Sequence, residues 1–128
     1  MTPERRKLKR AQLIQRIRGV ERIQSAVAAS DAEATRARLF GVANRTRSLV
    51  AHYSHKEGNT VGADLRSGQA MRGQLQKLSE LSEKQAQEAE LQSQLKREEF
   101  AKSDQRLRKA EDSTRELVRS IVAALEKK

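Results

Sequence analysis

Two histidines and a carboxylate come closest, by type and spacing, to forming a reactive centre. His52 and His55 stand three apart, so a helix would put both on one face, and Glu57 follows closely. That combination can ligate a metal or move a proton. No second cluster of ligands accompanies it, and histidines at a helix C-terminus are favoured there by the helix dipole alone. Gly58 and Gly62, in the stretch EGNTVG, lack both the lysine of a phosphate loop and the strand that precedes one. The chain contains no cysteine. Disulfides and thiolate metal sites are therefore excluded, in agreement with a reducing compartment. Without a convergent set of titratable groups the sequence points to a protein that is not an enzyme, with no cofactor and no metal.

These residues sit at a break between two helical patterns. Gly58 suits the left-handed position that ends a helix, and Asn59 or Thr60 can cap the next one. The expected organisation is a first helical arm over residues 1–53, a turn over 54–64 and a second arm over 65–128. The expected fold is all-α: an antiparallel two-helix coiled-coil hairpin with a long second helix.

Composition supports thin packing. Of the 128 residues only 36% are apolar and 2% aromatic, too few for a thick core, while 34% are charged and proline occurs once. Disorder is the competing reading, and the helical spacing of the apolar residues argues against it. No run is apolar enough to span a bilayer, and no apolar segment follows the charges of the first ten residues, so a cytoplasmic protein is expected. A formal charge of +10 favours acidic partners, whether nucleic acid, anionic lipid or an acidic protein face.

In the first arm Thr2, Pro3 and Glu4 supply a capping hydroxyl, a preset φ and an early carboxylate. Leu13, Ile17, Val20, Ile23 and Val27 form a stripe at helical spacing, while Arg5, Arg6, Lys7, Lys9, Arg10, Arg16, Arg18 and Arg22 occupy the remaining faces. The stripe then turns small, from Ala26 to Ala37, and resumes in a shifted phase at Leu39, Val42, Thr46, Leu49 and Tyr53. Such a shift would change the winding of a coiled coil locally. Gly19 and Gly41 each cost about 1 kcal/mol relative to alanine within a helix. Gly41 is expected to mark close packing.

The second arm runs through Leu65, Met71, Leu75 and Leu78, becomes polar at Ser82 and Gln85, and recovers a heptad at Leu107, Ala110, Thr114, Leu117 and Ile121. Lys127 and Lys128 suit the negative end of the helix. Reflection about the turn pairs residues whose numbers sum to roughly 118, since both helices rise equally per residue. Leu117, Val118, Ile121, Val122 and Leu125 would then extend past the first arm with their apolar side uncovered, as a docking surface.

Leu49-x-x-x-Tyr53, a short glycine-containing turn and Met71-x-x-x-Leu75-x-x-Leu78, within a hairpin of this size, resemble the small flagellar type III export stalk proteins. These are coiled-coil chaperones of the export ATPase, sometimes called the J component. The resemblance spans most of the chain. It implies that both termini insert in the hexameric export ATPase ring, while the turn-proximal surface meets the cytoplasmic domain of the export gate, with export chaperones as further partners. The basic Arg5, Arg6, Lys7, Arg10 and Arg16 and the uncovered Leu117, Val118, Ile121, Val122 and Leu125 are the residues that would supply a terminal contact. Carried onto this chain from the family, the gate contact would involve Val42, Thr46, Leu49, Tyr53, Met71, Leu75, Leu78 and Ser82, residues that are equally the expected seam between the helices. Met71 stands where the family usually has an aromatic residue, and one tyrosine precedes the turn. The implied location is cytoplasmic, peripheral at the inner-membrane export apparatus.

Two other classes fit the charge. A basic helical hairpin can lie along the phosphate backbone of RNA or another nucleic acid, but Phe40, Tyr53 and Phe100 are too dispersed to stack bases. Residues 7–22 could rest on an anionic membrane, although their apolar side lacks Trp and Phe.

Overall fold

The structure is a computed structural model that describes residues 2–56 and 62–127, with side chains over 2–54 and 66–127. It consists of two helices, α1 (Pro3–Lys56) and α2 (Gly62–Glu126), paired as an antiparallel hairpin. The expected turn chemistry at Gly58, Asn59 and Thr60 lies outside the described residues, as do the side chains of His55 and Glu57. At the start of α1 the Thr2 hydroxyl accepts from the Arg5 amide at 3.4 Å, and Pro3 takes the first helical position, where no amide hydrogen is needed. At the other end the Lys127 amide donates to the Ala123 carbonyl at 3.3 Å, just past the last helical residue.

The chain divides into two compact units. The first combines Met1–Ser30 with Leu95–Lys128, and the second is Asp31–Gln94. In the first unit the side of α1 turned towards α2 carries Leu8, Ala11, Gln15, Arg18, Arg22, Ser25 and Ala29, half-buried and alternately three and four apart. Opposite them α2 presents Phe100, Ser103, Leu107, Ala110, Thr114, Leu117 and Ile121 at the same alternation. That spacing is the a/d repeat of a coiled coil. The heptad expected from Leu107 to Ile121 is therefore the true seam.

In the second unit the seam is built from Ala32, Arg36, Leu39, Ala43, Thr46, Val50 and Tyr53 on α1, and Leu75, Ser79, Ser82, Ala86, Ala89 and Ser93 on α2. The most buried positions are small: Ala43, Ala86 and Ser93 are at most 2% exposed. Small residues let two helix backbones approach closely, but each buried methylene is worth only about 0.8 kcal/mol, so a layer of Ala and Ser contributes less than a layer of Leu. The buried hydroxyls are used where their bonds are seen. Thr46 donates to the Val42 carbonyl at 2.8 Å, and Ser93 donates across the seam to Glu33 at 3.0 Å.

Two expectations for the first arm need correction. The stripe Leu13, Ile17, Val20, Ile23 and Val27 is not the seam, since every one of these residues is more than half exposed. Its phase is two residues away from that of Ala11, Gln15, Arg18 and Arg22, which is about 200° around a helix and so on the side away from α2. Within the first unit the half-buried residues of α1 follow the alternation given above, and the apolar stripe lies outside it. Gly41 does not mark close packing either. A methyl group there would meet only the Arg45 guanidinium, at 3.9 Å.

The register also differs. Arg22 pairs with Asp104 at 2.8 Å in the first unit and Arg36 approaches Glu90 at 3.5 Å in the second, so paired numbers sum to 126. This is one heptad from the symmetric estimate, within a residue. A one-heptad slip matches every a/d layer again, so apolar spacing cannot choose between the two. Charge can: in the slipped register Arg22 would face Arg97 in place of Asp104. Leu117 accordingly falls level with the first turns of α1, and both Leu117 and Ile121 are half-buried seam residues. They do not overhang.

Candidate docking surfaces

The described residues offer surfaces and open clefts. Among them there is no group of three His, Cys, Asp or Glu side chains that could hold a metal, and no helix long and apolar enough to cross a membrane. His52 contacts Tyr53 edge to face, with ring centroids 5.7 Å apart.

Each unit contains one arginine cluster of the same design. In the first, the Arg22 guanidinium lies 5.3 Å from the centre of the Phe100 ring while donating to Asp104, which Arg108 also approaches at 3.1 Å. In the second, Arg36 lies 5.4 Å from the Phe40 ring and donates twice to Glu33, at 2.8 and 2.6 Å. Glu33 in turn accepts from Ser93. Arg22 and Arg36 occupy equivalent seam positions two heptads apart, and Asp104 and Glu90, also two heptads apart, each follow a seam residue of α2. The hydrogen bond from Arg22 holds the Asp104 carboxyl below its ordinary range, against the opposing effect of desolvation. The hydrogen bond to Glu33 raises the Arg36 guanidinium further above its already high value. A third cross-helix pair joins Arg47 and Glu83. These contacts are structural, because every partner is another seam or flanking residue.

The terminal residues singled out above all fall in the first unit. Arg5, Arg6, Lys7, Arg10 and Arg16 are exposed, whereas Leu117 and Ile121 belong half to the seam. Val118, Val122 and Leu125 remain on the surface, with Leu125 67% exposed. Val118 also lines an open cleft with Gln15, Glu111, Thr114, Arg115 and Arg119. Of the gate-facing set, Thr46 and Ser82 are buried between the helices, and Leu75, Tyr53 and Val42 are partly covered. Leu49, Met71 and Leu78 are exposed. Leu49 and Leu78 each sit one position before a seam residue, on flanks that an antiparallel pair brings to the same side.

The surface that sequence reasoning missed is the outward stripe of α1, Leu13 to Val27. The signal was present in the small-residue heptad Ala29, Ala32, Ala43, which extends backwards through Ser25, Arg22 and Arg18 and leaves the larger side chains out of phase.

Charge is divided unequally. The first unit holds 18 of the 27 Lys and Arg but only 9 of the 17 Asp and Glu, so nearly all of the net +10 belongs to it. Compared with known proteins, the chain matches no family model, no curated protein and no solved structure.

Proposed function

We propose that the chain is a non-enzymatic coiled-coil adaptor that resembles the flagellar export stalk, joining an export ATPase ring through its basic first unit to an export gate through its second. The unequal division of charge carries this reading. A unit with a large positive excess is drawn to an acidic cavity and gains a fast encounter, while Val118, Val122 and Leu125 supply apolar holding contacts. The second unit is nearly neutral and exposes Leu49, Met71 and Leu78, the part of the gate-facing set that a partner can reach without parting the helices. Identity of the ring and the gate comes from the resemblance.

Affinity purification of the full chain from native lysate at moderate salt tests the reading. Recovery of an export ATPase that is lost on reversing Arg5, Arg6 and Arg10 to Glu is the expected result. Recovery of RNA that nuclease removes, with no ATPase, would replace the adaptor by a nucleic-acid binder, since the same positive excess suits a phosphate backbone.

A further inference from the structure

The outward face of α1 has the form of a second coiled-coil seam. Leu13, Ile17, Val20 and Val27 occupy successive a/d positions, with Gln24 at the one between Val20 and Val27. All four apolar members are 54–57% exposed, and Ile14 and Ile23 widen the stripe on its two flanks. Single exposed aliphatic residues need no cause, but six on one face within about four turns of helix form a patch that a partner would cover.

The flanking charges indicate what fits. In heptad terms Lys9 and Arg16 lie along one edge, seven apart, with Arg10 at the head of the stripe. Lys9, Gln12, Leu13 and Arg16 line a shallow recess where a carboxylate could rest between two cations with its methylenes on Leu13. Glu21, on the opposite edge, is already engaged by Arg18 at 2.9 Å. A second copy of this chain is disfavoured, because Met1–Ser30 contains eight Lys and Arg against two Glu.

We propose that residues 13–27 dock an amphipathic helix of a partner protein whose apolar seam is edged by Asp or Glu, so that a third helix lies against α1 on the side opposite α2. The proposal deepens the adaptor reading and rests on it only in requiring a protein partner.

A designed three-heptad peptide with Leu and Ile at its seam and Glu along its edges is the probe, titrated against the full chain by fluorescence anisotropy. Two controls replace the edge Glu by Lys or the seam residues by Ser. The Glu-edged peptide should bind at least tenfold tighter than either control. Ile17→Gln with Val20→Gln should weaken it at least tenfold without changing the melting of the hairpin, since both residues face away from α2. Should that variant lose helix, Leu13→Gln with Val27→Gln provides the same test. Equal binding by the Ser-seam peptide, or binding retained in both variants, overturns the proposal. So does a sedimenting dimer abolished by the same substitutions, or variant-sensitive binding to phosphatidylglycerol vesicles without peptide binding. The assay contains no ATPase ring or gate, so failure to retrieve those from lysate refutes the adaptor reading without affecting this result.

Discussion

Arg22 and Asp104, 82 positions apart in sequence, meet at 2.8 Å and fix the level at which α1 and α2 pair in the first unit. A slip of one heptad matches the a/d layers again but would bring Arg22 to Arg97, so this pair selects the register, whereas Arg36 would exchange Glu90 for Glu83 and favours neither. Asp104→Arg should therefore lower the melting temperature, and Arg22→Asp added to it should restore it. Spin labels at Gln24→Cys and Ser113→Cys report the register directly in a chain free of other cysteines. A slip would move them about 10 Å further apart along the axis, at 1.5 Å per residue.

Acid should weaken the same contact. Asp104 is held below its ordinary value by the hydrogen bond from Arg22. A carboxyl with a depressed folded-state pKa binds fewer protons folded than unfolded, so its contribution is complete above the ordinary Asp value of about 3.9 and disappears as pH falls through the lower folded value. Melting followed from neutral pH to below that range should show a fall that is smaller in Asp104→Asn. An identical pH profile in the variant would mean that other carboxylates carry the effect.

Gly19 and Gly73 have no neighbour within 4 Å of an added methyl group, and both lie inside helices. Replacing either by alanine should stabilise the hairpin by about 0.5–1 kcal/mol through lower backbone entropy in the unfolded chain. Urea unfolding measures this, and a loss of stability would show that the position is occupied by something other than solvent.

The C-terminal apolar residues divide into two classes. Leu117→Ser with Ile121→Ser removes two half-buried seam residues and should cost the free hairpin about 1–3 kcal/mol. Val118→Ser with Val122→Ser changes exposed positions and should leave stability within about 0.5 kcal/mol, while weakening any terminal partner. Equal melting of the two double variants would mean that Leu117 and Ile121 are not in the seam.

Much of the fold is legible in the sequence because it depends on local chemistry. Thr2 and Pro3 announce the first helix, strong helix formers sustain both arms, and the repeat from Leu107 to Ile121 has large residues in phase. The seam of the first arm is hidden because size misleads there. Leu13, Ile17 and Val20 look like core, yet Ala11, Gln15 and Arg18 take that place, and only continuity with the alanines further along reveals it. Register is hidden for a different reason, since it is decided by single charge pairs such as Arg22 with Asp104 and not by a repeating pattern. Of the residues that the resemblance assigns to a gate contact, Leu49, Met71 and Leu78 are exposed, whereas Thr46 and Ser82 have the small polar character of a close helix contact and are consumed by it.

The alanine and serine seam also sets how the protein responds to temperature. Unfolding raises heat capacity by exposing apolar surface and lowers it by exposing polar surface. Here Leu13, Ile17, Val20, Leu81, Leu91 and Leu95 are half or more exposed already, and buried positions such as Thr46, Ser82, Ser93 and Ser103 are polar. The heat-capacity increment should fall well below the usual value of about 12–15 cal/mol/K per residue. A small increment flattens the curve of free energy against temperature. The hairpin should keep a nearly constant, modest stability from cold to warm and then melt over a broad interval, a calorimetric profile that a leucine-filled coiled coil of the same length would not share.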